Sequence, residues 1–118
     1  MEKKETADLR PTDGWQELVR EYPDLAKTIS GSIENLLSQT KLDEKTRQLI
    51  YIAVQTARCY PLAVEYHVPL AMMAGATVDE IVGAAAIAVT AAGPKGFVTC
   101  FRSIMEAARR GRPDTKNA

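Results

Sequence analysis

The sequence predicts an all-α protein, a bundle of about six helices, and three observations carry that prediction. Nowhere does the chain alternate apolar and polar residues at the two-residue period of a half-buried strand. Apolar residues instead recur at helical spacing, as in Leu25, Ile29, Ile33, Leu36 and Leu37. Residues that start and stop helices punctuate the whole chain: Asp43, Pro61, Gly75, the pair Thr77 and Glu80, and Gly93 followed by Pro94.

Residues 1–12 read as a polar leader, 13–111 as one helical domain and 112–118 as a polar tail. "GWQELVREYP" should form a short first helix, closed by Pro23, and "DLAKTISGSIENLLSQT" a second, which Gly31 weakens without forbidding. Asp43 can cap the third helix, where a charged first turn gives way to "LIYIAV", apolar on every side. That helix is expected to be buried. Pro61 suits the first turn of a fourth helix that runs to Gly75. Pro69 within it removes one backbone bond and crowds the Glu65 carbonyl, which leaves either a kink beside His67 or a harmless bend. Thr77 and Glu80 form a capping box for the fifth helix, "VDEIVGAAAIAVTAA", whose small apolar residues let neighbouring backbones come close. Gly93 and Pro94 end it and begin the last helix, on which Phe97, Phe101, Ile104 and Ala108 share a face. The end, "RRGRPDTKNA", is polar and should fray.

A chain of 118 residues has room for one core. Fifteen basic residues against fifteen acidic ones leave no formal charge, so nucleic acid and anionic membranes are not expected partners. The charged start "MEKKETADLRPTDGW" lacks the apolar centre of a secretory signal, and Ile81 to Ala92 is too short to span a bilayer, which points to the cytoplasm. Two cysteines make no disulfide scaffold, and a single histidine makes no metal-ligand cluster, so no metal or other cofactor is expected. Two consecutive helices that are apolar all round exceed what one small chain can cover, so a homo-oligomer is expected; the alternative is that they form the centre of a monomeric bundle.

From Tyr22 to about Arg110, "YPDL", "LDEKTRQLIYIAV", "VEYHV" and "AMMAGATVDEIVGAAAIAVTAAG" follow one another in an order and spacing that resemble the carboxymuconolactone decarboxylase family, which includes the alkyl hydroperoxidase D-like proteins. The resemblance implies their all-helical fold, often assembled as trimers or hexamers. It also implies a register. The peroxidase branch works through a Cys-x-x-Cys pair at a helix start, a histidine four residues beyond the second cysteine and a glutamate twelve residues before the first. In that register His67 is the histidine, Tyr60 and Ala63 stand where the cysteines would be, and Gln48 stands where the glutamate would be. Cys59 is one residue out of register, with no cysteine three positions away. Neither Tyr60 nor Ala63 can attack or resolve a disulfide, and glutamine cannot take a proton near neutral pH, so peroxidase chemistry is not expected.

His67 is the one side chain whose unperturbed pKa suits proton transfer near neutrality, and it is the candidate acid/base; the alternative is a histidine tied to a backbone carbonyl or an interface. Gln48 and Tyr60 are candidate orienting hydrogen-bond partners, and Arg47 or Arg58 could pair with a substrate carboxylate. Cys59 follows Arg58 and precedes a helix start, which makes it a candidate reactive thiol, alone or with Cys100; core packing is the alternative for both. Met72, Met73 and Met105 read as core or interface filler.

Three functions remain in play. The first is a decarboxylase or related proton-transfer enzyme acting on a small carboxylate or lactone through His67. The second is a non-catalytic oligomer that binds a ligand or partner. The third is a divergent thiol oxidoreductase using Cys59.

Overall fold

A computed structural model describes residues 11–111, and among them every regular element is an α-helix. The described chain divides after Leu42 into two compact units. The first holds α1 (Pro11–Glu21) and α2 (Pro23–Thr40); the second holds α3 (Glu44–Ala57), α4 (Pro61–Met73), α5 (Val78–Ala92) and α6 (Lys95–Gly111).

In the first unit a single residue, Tyr22, separates two helices that each begin with proline. Proline at the first helical position loses no hydrogen bond, and it drives the residue before it out of the helical region. Tyr22 accordingly sits at φ −137°, ψ 68°. α1 starts at Pro11, three residues before the expected Gly14, for the same reason. α2 runs unbroken through Gly31 and ends at Lys41, whose φ of 64° is the left-handed conformation that closes many helices. The predicted stripe is present but uncovered: Leu25, Ile29, Ile33 and Leu36 are all exposed.

The second unit begins with two side-chain caps. Asp43 Oδ1 accepts from the Thr46 N–H at 2.8 Å, which starts α3. At α5 the capping box is complete: Thr77 Oγ1 accepts from the Glu80 N–H, and Glu80 accepts from the Thr77 N–H, both at 3.0 Å. Glu80 also pairs with Lys45 at 3.1 Å, which sets the two capped ends side by side. Since both ends are N-termini, α3 and α5 run parallel.

Behind these caps lies a core of Ile52 from α3, Val64, Val68 and Ala71 from α4, Ile81 and Ala85 from α5, and Cys100, Ile104, Ala107 and Ala108 from α6. Small residues dominate it, so the helices approach closely. One close approach is at Gly96, where an added Cβ would lie 2.0 Å from the Thr56 carbonyl oxygen. Only glycine permits the first turn of α6 to rest on the last turn of α3. At its other end α6 reaches α4, with Gly111 against Pro69 and Met72. α4 continues through Pro69 to Met73.

Two expectations about burial need correction. "LIYIAV" is not buried on every side: Ile52 is fully buried, but Ile50 and Val54 are exposed. Met73, expected as core or interface filler, is 81% exposed, so it is not part of this chain's core. The tail's first three residues, Arg109 to Gly111, belong to α6, while 112–118 lie outside the described residues. No described helix is long and apolar enough to cross a membrane.

Candidate functional site

His67 lies near the middle of α4, and two of the side chains that meet it come from one face of α3. Residues three and four apart on a helix are neighbours, so Glu44, Gln48 and Tyr51 stand one above another. Gln48 and Tyr51 face His67. The Gln48 Oε1 atom is 2.9 Å from His67 Nδ1, and the Tyr51 ring lies 4.6 Å from the imidazole centroid at a 33° tilt. On the other side Tyr66 meets the imidazole edge-on, at 5.2 Å and 81°. The ring is thus held by one hydrogen bond and two aromatic contacts.

The polar chain continues away from the histidine. Gln48 Nε2 donates to Glu44 Oε2 at 2.9 Å, and Glu44 Oε1 pairs with the Arg47 guanidinium. Gln48 is only 6% exposed, so its amide depends on these two partners. His67 is half-buried, and burial pushes its pKa below the ordinary 6.5. Burial thus favours the neutral imidazole. One ring nitrogen, Nδ1, is committed to Gln48.

The residues expected from sequence separate into two groups. Gln48 meets His67 directly. Arg47 joins the same network through Glu44, which turns it toward a protein carboxylate rather than toward the imidazole. Tyr60 is the residue before α4, two turns or about 10 Å along the axis from His67, and its ring lies 5.7 Å beneath the Arg58 guanidinium. Arg58 also donates to Gln55 Oε1 at 2.9 Å. Tyr60 and Arg58 thus form a separate cluster at the α3–α4 connection. Ala63, one turn before His67, is buried.

Cys59 occupies that connection with a φ of 59°, its N–H donating to the Thr56 carbonyl at 2.9 Å. Both cysteines are free thiols. Cys100 is fully buried, and desolvation raises its thiol pKa; Cys59 is close enough to raise it further, while the Tyr60 N–H acts the other way. Among the described residues no three acidic, cysteine or histidine side chains converge where a metal ion could be held.

Sequence reasoning missed Glu44, Tyr51 and Tyr66. The spacing of Glu44, Gln48 and Tyr51 was visible, but nothing in the sequence said that this face of α3 meets His67. Tyr66 adjoins His67 in the sequence, and adjacent helical residues ordinarily point apart; its large ring reaches back.

Comparison with known proteins agrees with this architecture. The sequence model of the carboxymuconolactone decarboxylase family matches residues 23–108, more than half of the chain. The chain is also similar to an uncharacterized protein of Methanocaldococcus jannaschii, MJ1511: 26% identical over 102 residues, covering 86% of this chain and 95% of that protein.

Proposed function

This chain belongs to the carboxymuconolactone decarboxylase family, and from that premise we propose that it is a proton-transfer enzyme acting on a small carboxylate or lactone, with His67 as its acid/base. The observation that carries this reading is the imidazole itself, half-buried, hydrogen-bonded to Gln48 through Nδ1 and packed against the Tyr51 ring. The amide behind the ring fixes its orientation, which an acid/base group requires.

Two reactions are open to such a group, one for each protonation state: the imidazolium serves the first, below the His67 pKa, and the neutral ring the second, above it. In a decarboxylation the carboxylate leaves as carbon dioxide, and the electron pair of the broken C–C bond stays on the substrate carbon. The imidazolium supplies the proton that closes that carbon, and solvent reprotonates the ring. In a proton migration the neutral ring takes a proton from a carbon next to a carbonyl and returns it at another position. The pH profiles differ in sign. Donation by imidazolium weakens as pH rises through the His67 pKa, whereas abstraction by the neutral ring strengthens.

The test is a panel of small lactone carboxylates and keto acids in deuterated buffer, followed by NMR for loss of the carboxyl group or uptake of deuterium. Turnover that His67→Gln removes without loss of fold supports the proposal. Turnover that survives His67→Gln refutes it.

We also propose a homo-oligomer, a trimer or hexamer. Its support is the exposed apolar stripe of α2 together with Ile50, Val54 and Ile87, which water would otherwise face. These exposed apolar residues also favour the second reading, an oligomer that binds a partner without catalysis, if the substrate panel shows no turnover. Sedimentation at micromolar concentration tests the assembly; a monomer refutes it.

A further inference from the structure

We propose that Glu44 fixes the tautomer of His67 through the Gln48 amide, holding the ring proton on Nδ1 and leaving Nε2 as the bare nitrogen that faces substrate. This deepens the reading of His67 as a proton-transfer group and makes Glu44 a positioning residue.

The argument follows from what each group can give and take. A carboxylate only accepts hydrogen bonds, so the Gln48 atom 2.9 Å from Glu44 Oε2 must be the donating Nε2. An amide has one donating and one accepting end. With Nε2 turned to Glu44, the end presented to His67 is Oε1, which has no proton to offer. The 2.9 Å contact with Nδ1 is a hydrogen bond only if Nδ1 carries the proton. In the neutral ring, Nε2 then holds a lone pair. Without Glu44 the amide could turn over, present Nε2 to Nδ1 and hold the opposite tautomer.

Three features keep Glu44 in place. It lies in the first turn of α3, where the helix dipole favours negative charge. Its other oxygen pairs with Arg47. Gln48 is buried, so water does not readily replace the carboxylate as its partner. A hydrogen bond to an ionised acceptor is stronger than one between neutral groups, so the charged end of the chain governs the neutral end.

The single histidine makes the test direct. Ring 15N NMR of uniformly labelled full-length protein, above the pH where His67 protonates, should show a protonated Nδ1 and a bare Nε2. Glu44→Ala, which changes a partly exposed side chain, should lower the ratio of the two tautomers roughly tenfold or more, the factor that one charge-assisted bond commands. In a Gln48→Leu background the same change should leave the ring shifts unmoved, because the link is gone. A proton on Nε2 in the unsubstituted protein overturns the proposal. So does a Glu44→Ala protein with unaltered ring shifts, or an effect of Glu44→Ala that persists without Gln48. None of these measurements needs a substrate, so an inactive protein with the proton on Nδ1 counts against the enzymatic reading alone.

Discussion

Replacing Gly96 with alanine inserts one methyl group where the helices have no room. The new Cβ would lie 2.0 Å from the Thr56 carbonyl oxygen, 3.0 Å from its carbon and 3.5 Å from the Ala57 Cα. Non-bonded carbon contacts settle at about 3.5–4.0 Å, so α6 must retreat from α3 by more than about 1 Å. The obstacle is backbone, so no side-chain rotation relieves it. A retreat of that size opens gaps around Cys100 and Ile104, both fully buried on α6, and a gap of 0.5–1 Å forfeits roughly a quarter to a half of the attraction across it. Overpacking of this kind costs about 1–3 kcal/mol, and a rigid backbone obstacle places Gly96 at the upper end. Alanine's better helix propensity returns at most about 1 kcal/mol. The net expectation is a loss of about 2 kcal/mol, or roughly 8 °C in melting temperature for a chain of this size. Thermal and urea unfolding should be compared at one fixed protein concentration, because an oligomer's apparent stability varies with concentration. Gly83→Ala is the control: Gly83 is exposed on α5 with nothing within 4 Å of the added Cβ, so it should gain up to about 1 kcal/mol. If Gly96→Ala matched the parent, or the two glycines responded alike, the close approach of α6 to α3 would be wrong.

Thr56→Val should stabilise the fold by about 1 kcal/mol in urea titrations, since the Thr56 hydroxyl is buried without a hydrogen-bond partner and valine keeps its shape; a loss of stability would reveal a partner for the hydroxyl. Gln48→Glu places a carboxylate beside Nδ1 and should raise the His67 pKa above its lowered native position, read by NMR titration; an unchanged pKa would mean that Gln48 and His67 are apart in solution. Stability should fall in two stages as pH drops. Below about 6.5 the unfolded chain protonates its histidine before the folded one does, because burial lowers the folded pKa, and this loss continues down through the folded value. The caps go next. The Thr46 and Thr77 N–H groups hold the Asp43 and Glu80 carboxyls below their ordinary 3.8 and 4.5, so their contributions are present above those values and vanish as pH falls through the lowered ones. His67→Gln should erase the first stage and spare the second; a first stage that survives would assign it to another group.

The sequence by itself determined which segments are helices and where most of them begin, because caps are local. Asp43 reaches only to Thr46, Thr77 and Glu80 bond across three residues, and Pro61 constrains its own turn; each signal is complete within a few residues. It also identified His67 and paired it with the position of Gln48, through a resemblance that spans most of the chain. Tertiary structure alone decided which faces meet. "LIYIAV" is apolar on every side, and its pattern could not say that Ile52 enters the core while Ile50 and Val54 remain outside. Glu44 looked like an ordinary charged residue of a first turn until Gln48 was found bonded to His67, nineteen residues further along the chain. Gly96 carried no signal, because the atom that requires a glycine there is the carbonyl of Thr56 on another helix. Local chemistry is written in adjacent residues, whereas a contact between two helices depends on the rotation and depth at which both pack, and neither helix encodes that alone.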